Sequence, residues 1–176
     1  SSFKPFYVIT NELKVYKCLW NNAIRETRTP IKITVDGSNG SVVSTGSDTI
    51  TSAAHGFVNG DQVKYSSTSG TAIGGLDTET SYFIVNKTND TFQLSETFGG
   101  SEIDLDALGT GTVHTFTQES FALSSFTYTP ESEEMVVYVD GKRLEETNFD
   151  QYSSTRIVFD SGLVDDTNNV VFEKIG

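Results

Sequence analysis

Apolar positions in this chain fall in short alternating runs, broken about every ten residues by clusters of Gly, Asn, Asp and Ser. A period of two, with no window carrying the three-to-four spacing of a long amphipathic helix, predicts an all-β fold. The first runs are Phe6-Tyr7-Val8-Ile9 and Val15-Tyr16-Lys17-Cys18-Leu19-Trp20, with a turn at Asn11-Glu12 and a stop at Asn21-Asn22. They read as a β-hairpin arm with Tyr16, Cys18 and Trp20 on one face. A two-stranded ribbon is marginal alone in water, so this one needs something to pack on. Ile31 to Val35 follows and ends at Asp36-Gly37, and the Gly/Ser-rich stretch 36–46 reads as a loop or linker.

The middle of the chain offers strands at Thr49 to Thr51, Gln62 to Tyr65, Tyr82 to Asn86, Thr91 to Ser95, Ile103 to Leu105 and Val113 to Thr117. Lys87 to Asp90 reads as a tight hairpin, because Asn and Asp tolerate the left-handed backbone. It sets Phe83 and Val85 on one face against Phe92 and Leu94. In the last third, Phe121 to Tyr128 stops at Thr129-Pro130, and Met135 to Asp140 turns back at Asp140-Gly141 into Lys142-Arg143-Leu144. Arg156 to Phe159 and Asn169 to Ile175 complete about five strands, with Glu145 to Tyr152 as an irregular loop or a single helical turn. The organisation expected is a docking segment (1–40), a middle β domain (41–118) and a small β-sandwich (119–176), the domains being β-sandwich or β-barrel-like.

Charge changes this picture. The 176 residues carry 24 Asp+Glu against 12 Lys+Arg, a net charge of −12. Residues 1–40 balance at +3, residues 41–118 at −7 and residues 119–176 at −8. A basic head on an acidic body suits docking onto an acidic partner or a neighbouring copy. An electrostatic nucleic-acid binder is excluded, because neutralising phosphates needs a basic surface. The longest apolar run, Met135 to Val139, is far short of the roughly 20 residues that span a bilayer. Ser1-Ser2-Phe3-Lys4-Pro5 has no apolar signal core and no initiator Met, so the chain is expected to be processed or a piece of something longer. The single Cys18 excludes an internal disulfide framework and a Cys-rich zinc site.

Three stretches resemble known families. Ala54-His55-Gly56-Phe57, Asn59-Gly60-Asp61-Gln62-Val63-Lys64-Tyr65 and Ala72-Ile73-Gly74-Gly75-Leu76 are similar to a domain common in tailed-phage virion proteins. Its continuation is Thr80 to Val85, Thr91 to Ser95 and Gly109-Thr110-Gly111-Thr112-Val113-His114-Thr115-Phe116. Tyr128-Thr129-Pro130, Met135 to Leu144, Phe149, Arg156 to Phe159 and Val170-Val171-Phe172 resemble the small β-sandwich at the tail-attaching end of phage tail fibres. The head is similar to a segment of baseplate wedge proteins of contractile-tailed phages. The resemblance implies a non-enzymatic virion component that links tail, baseplate or neck to fibres or neighbouring subunits. Its partners would be other virion proteins, it would form a trimer or ring of its own copies, and it would assemble in the bacterial host's cytoplasm before joining the tail.

No catalytic, cofactor-binding or metal-binding residue is expected. His55 lies in a turn and His114 in a strand pattern, without a carboxylate or Ser at diagnostic spacing. Glycoside hydrolysis needs two facing carboxyls, and the adjacent pairs Glu133-Glu134 and Glu145-Glu146 point apart within a strand. Asp104 and Asp106, or Asp165-Asp166, lack the ligand spacing of a calcium loop. The docking residues expected are Tyr16, Lys17, Trp20, Arg25 and Arg28. The alternative function is a glycan-binding adhesin, with Trp20, Tyr65, Tyr82 and Tyr152 as aromatic platforms.

Overall fold

The computed structural model describes residues 6–9, 15–18, 24–130 and 135–174. Its regular structure is almost entirely antiparallel strand, with one 3₁₀ turn at Glu146–Asn148, so the all-β expectation holds. β1 (Phe6–Ile9) and β2 (Val15–Cys18) form the hairpin, in a register that pairs Phe6 with Cys18 and Ile9 with Val15. The Asn11-Glu12 turn and Trp20 lie outside the described residues.

β3 (Ile24–Arg28) and β4 (Lys32–Val35) come next, separated by Thr29-Pro30. Proline has no N–H for a ladder, and here the chain leaves one sheet and enters another. β4 joins β5 (Val43–Ser44), β6 (Thr49–Thr51), β7 (Gln62–Ser67), β8 (Thr80–Val85), β9 (Thr91–Ser95) and β10 (His114–Gln118) in a seven-stranded sheet ordered β4-β10-β7-β8-β9-β6-β5. At about 4.8 Å per strand, a flat sheet would hold β9 and β10 about 14 Å apart. The Phe92 and Phe116 ring centroids are 5.5 Å apart, so the sheet curls round its own core in a barrel-like lobe. Ile50, Phe57, Tyr65, Ile84, Phe92, Leu94 and Phe116 fill that core.

The second lobe holds β11 (Ser120–Ala122), β12 (Met135–Val139), β13 (Lys142–Arg143), β14 (Phe149–Ser153), β15 (Arg156–Phe159) and β16 (Val170–Lys174). A three-stranded sheet, β11-β15-β14, faces a four-stranded one, β13-β12-β16-β3. Phe121, Met135, Val137, Ile157, Phe159 and Phe172 make the core between them. Thus 24–28 pairs with β16 and 32–35 with β10. The stretch grouped in sequence with an amino-terminal docking segment supplies one strand to each lobe.

Three strand readings differ in detail. In β8 and β9 the register pairs Ile84 with Leu94 and Phe83 with Ser95, so Tyr82 and Ile84, rather than Phe83, face the core with Phe92 and Leu94. A shift of one residue moves every side chain to the opposite face. Ile103 to Leu105 is not a strand: Leu105 N–H donates to the Asp48 carboxylate (2.9 Å), which replaces a ladder partner. The strand expected over Phe121 to Tyr128 ends at Ala122, because Ser124 and Ser125 give their N–H groups to the Glu26 carboxylate, at 2.9 and 2.8 Å.

Candidate functional site

Glu119 joins the two lobes. It sits between β10 of the first lobe and β11 of the second, and is 1% exposed. Its N–H donates to Gln62 O (2.8 Å) in the barrel-like lobe, while its carbonyl accepts from Phe159 N (2.8 Å) in the sandwich. Its carboxylate repeats that division, accepting from the Ser81 hydroxyl (2.6 Å) and from Gly162 N–H (2.7 Å). One residue therefore bonds both lobes through backbone and side chain, at the position where the sequence suggests a boundary.

A buried ion pair closes the same seam. All four residues of β15 are buried: Ile157 and Phe159 enter the sandwich core, while Arg156 reaches across to the other lobe. Arg156 Nη1 lies 3.1 Å from Asp61 Oδ1 and donates also to Ser120 Oγ (3.3 Å). Asp61 Oδ2 accepts from Val58 N–H (3.0 Å) and the Gln118 amide (2.9 Å). Burial pushes the Asp61 carboxyl upward, against the opposing pull of Val58 N–H, Arg156 and Gln118. Every polar atom of this network named here has a partner, as a buried network requires.

Of the expected docking residues, Tyr16 and Lys17 lie on β2 and Trp20 lies outside the described residues. Arg25 and Arg28 are on β3, the end strand of its sheet. Each already faces a carboxylate: Arg25 pairs with Glu173 at 3.0 Å, and Arg28 with Glu26. Burial pushes the Glu26 carboxyl up, but the Ser125 and Ser124 N–H groups and Arg28 outweigh it and hold it below the usual range. Part of the basic character of residues 1–40 is thus already paired with carboxylates of the sandwich lobe itself. A cleft of about 180 Å³ opens beside Arg28, walled by Ile31, Val58, Asp61 and Gln118.

The histidines sit in packing roles. In the neutral ring of His114, Nε2–H donates to Thr110 O (3.2 Å), so Nδ1 accepts from the Tyr65 hydroxyl (2.7 Å), which in turn accepts from Ile73 N–H (2.9 Å). His55 Nδ1 accepts from Phe57 N–H (3.1 Å), and its ring packs against Phe57 and Phe92. Among the described residues no group of three His, Cys, Asp or Glu converges as a metal-ligand set. Glu133-Glu134 lie outside the described residues.

Of the aromatic platforms, Tyr65 and Tyr82 are core residues at 0% and 4% exposure and cannot meet a ligand from solvent. Tyr152 is half-exposed and packs at 5.3 Å against Phe98, an equally exposed ring from the other lobe that sequence spacing did not single out. The chain matches no family model, no curated protein and no solved structure.

Proposed function

We propose that the chain is a non-enzymatic structural component of a tailed-phage virion, joining tail, baseplate or neck to fibres or neighbouring subunits through strand pairing. The observation that carries this reading is the open side of β3. The strand ends the order β13-β12-β16-β3, and its far side pairs with no other described strand. An open edge offers a row of backbone donors and acceptors, the substrate of β-augmentation. Arg25 and Arg28 place charge along it, which discourages indiscriminate pairing before the right partner arrives. β3 also follows directly on the segment that holds the hairpin, so arm and edge would be engaged together. The resemblance read from the sequence of stretches 54–116 and 128–172 supports a virion setting, and the net charge of −12 favours solubility before assembly.

The test is incorporation of variants into particles assembled without the native chain. Deleting residues 1–30 would strip β3 from β16, so the informative deletion is 1–23, combined with Arg25→Glu. The expected result is a far-UV circular dichroism spectrum and a melting transition that keep the folded β signature of the two lobes, with incorporation lost. Incorporation at the native level by that variant would overturn docking through arm and edge.

A further inference from the structure

We infer that Phe98 and Tyr152 form a platform for a neutral saccharide at the seam between the lobes. Phe98, in the loop after β9, is 47% exposed and Tyr152 is 50% exposed. Their planes meet at 48°, and Phe83 supports Phe98 edge-on at 5.9 Å. Tyr152 is the extra residue of a β-bulge: the register runs from Gln151 opposite Ile157 to Ser153 opposite Arg156. Bulges re-aim side chains and gather beside functional sites. Phe98 is fixed from behind, with the Arg156 guanidinium carbon 5.6 Å from its ring centroid. Gly60, at φ +83°, leaves the room it needs, because a Cβ there would meet Phe98 Cε2 at 2.5 Å. Both rings are open to solvent yet held in place, which keeps the ordering cost of binding low.

Size and charge select the occupant. A Phe or Tyr has about 150–250 Å² to bury, so two half-exposed rings offer about 200 Å². A stable protein interface takes about 800 Å² from each partner. The platform is too small for that and matches one or two sugar rings. The negative face of an aromatic ring attracts the polarised C–H groups on a pyranose face. Arg156 behind Phe98 opposes a second cation in front, which argues against a quaternary ammonium ligand. The net charge of −12 repels acidic glycans and nucleic acids. Tyr152 is 50% exposed, and among the described residues its hydroxyl has no hydrogen-bond partner, so it can meet a sugar hydroxyl.

The test uses the full chain, titrated with neutral glucose, galactose and N-acetylglucosamine oligosaccharides, with sialylated and sulfated ones as comparators. Binding is followed through the aromatic NMR resonances. The expected result is a saturable shift for at least one neutral sugar at millimolar concentration or below, weakened at least tenfold by Tyr152→Ala and two- to threefold by Tyr152→Phe. Phe98→Ala should weaken it as strongly, but it also uncovers Arg156, so Tyr152→Ala carries the test. Absence of a saturable shift, preference for the anionic sugars, or unchanged affinity in Tyr152→Ala would overturn the inference. Neither residue belongs to β3, so this result and the docking result stand apart.

Discussion

Replacing Asp61 by Asn tests whether the seam makes the lobes one folding unit. The side chain keeps its shape but loses the charge that faces Arg156 at 3.1 Å. Arg156 stays buried, its side chain 10% exposed, without a counter-charge. Breaking a buried pair from one side costs about 3–5 kcal/mol. The new amide also cannot accept from all of its present donors. One of Val58 N–H, the Gln118 amide and Arg156 loses its acceptor, a cost of about 1–3 kcal/mol that overlaps the first. A total of about 4 kcal/mol is a large part of a stability of about 5–15 kcal/mol. At roughly 2–4 °C per kcal/mol for a chain of this length, the melting temperature falls by about 10 °C. Urea unfolding followed by far-UV circular dichroism and tyrosine fluorescence measures it. The double variant Asp61→Leu with Arg156→Met should recover most of the loss, because an apolar pair removes both desolvation costs. A cost below about 1 kcal/mol for Asp61→Asn, or no coupling between the sites, would refute the reasoning.

Three further outcomes follow from individual sites. The folded-state pKa of Glu26 is lowered, so its stabilisation is present above the ordinary glutamate value of about 4.3 and lost as pH falls through the folded value. Glu26→Gln should therefore melt lower than the native chain at pH 7, and the gap should close as pH falls below the ordinary glutamate value and through the folded one. Burial pushes the phenols of Tyr65, Tyr82 and Tyr128 up. Their contribution is present below about pH 10 and lost as pH rises through the folded values, so in a 295 nm titration these three should ionise only as the fold is lost. Gly37→Ala would place a Cβ 2.5 Å from His114 Cδ2 and press on the Tyr65–His114 bond. Its expected cost is about 1–3 kcal/mol by thermal melting.

Alternation and turn residues made much of the fold legible. Thr49–Thr51 and Thr91–Ser95 stand where the sequence places them, and Arg156–Phe159 is β15 entire. Alternation says less where the apolar run is continuous. In Tyr82-Phe83-Ile84-Val85 either set of alternate residues qualifies as the core face, and the register with β9 decides. Glu145 to Tyr152 shows the 3₁₀ turn that was one of its two readings, but β14 is hidden there. Only Phe149 is buried in that strand, and the bulge at Tyr152 breaks its period. The seam left no local trace, because Asp61 and Arg156 are separated by 95 residues. Arg25 and Arg28 were visible as basic residues, but Glu173 becomes the partner of Arg25 only through the pairing of β3 with β16, while Glu26, two residues from Arg28 on the same strand, is anchored by Ser124 and Ser125. Phe98 was invisible as a platform residue because its neighbour Tyr152 comes from the other lobe.

The role proposed for the chain turns on where it sits in an assembled particle. The most direct measurement is its position and copy number in an intact virion, by electron cryomicroscopy with quantitative mass spectrometry. The account predicts a ring or trimer at the tail, baseplate or neck, with β3 extended by a strand from a neighbouring subunit. Absence of the chain from purified particles, or its presence there with β3 facing solvent, would contradict it.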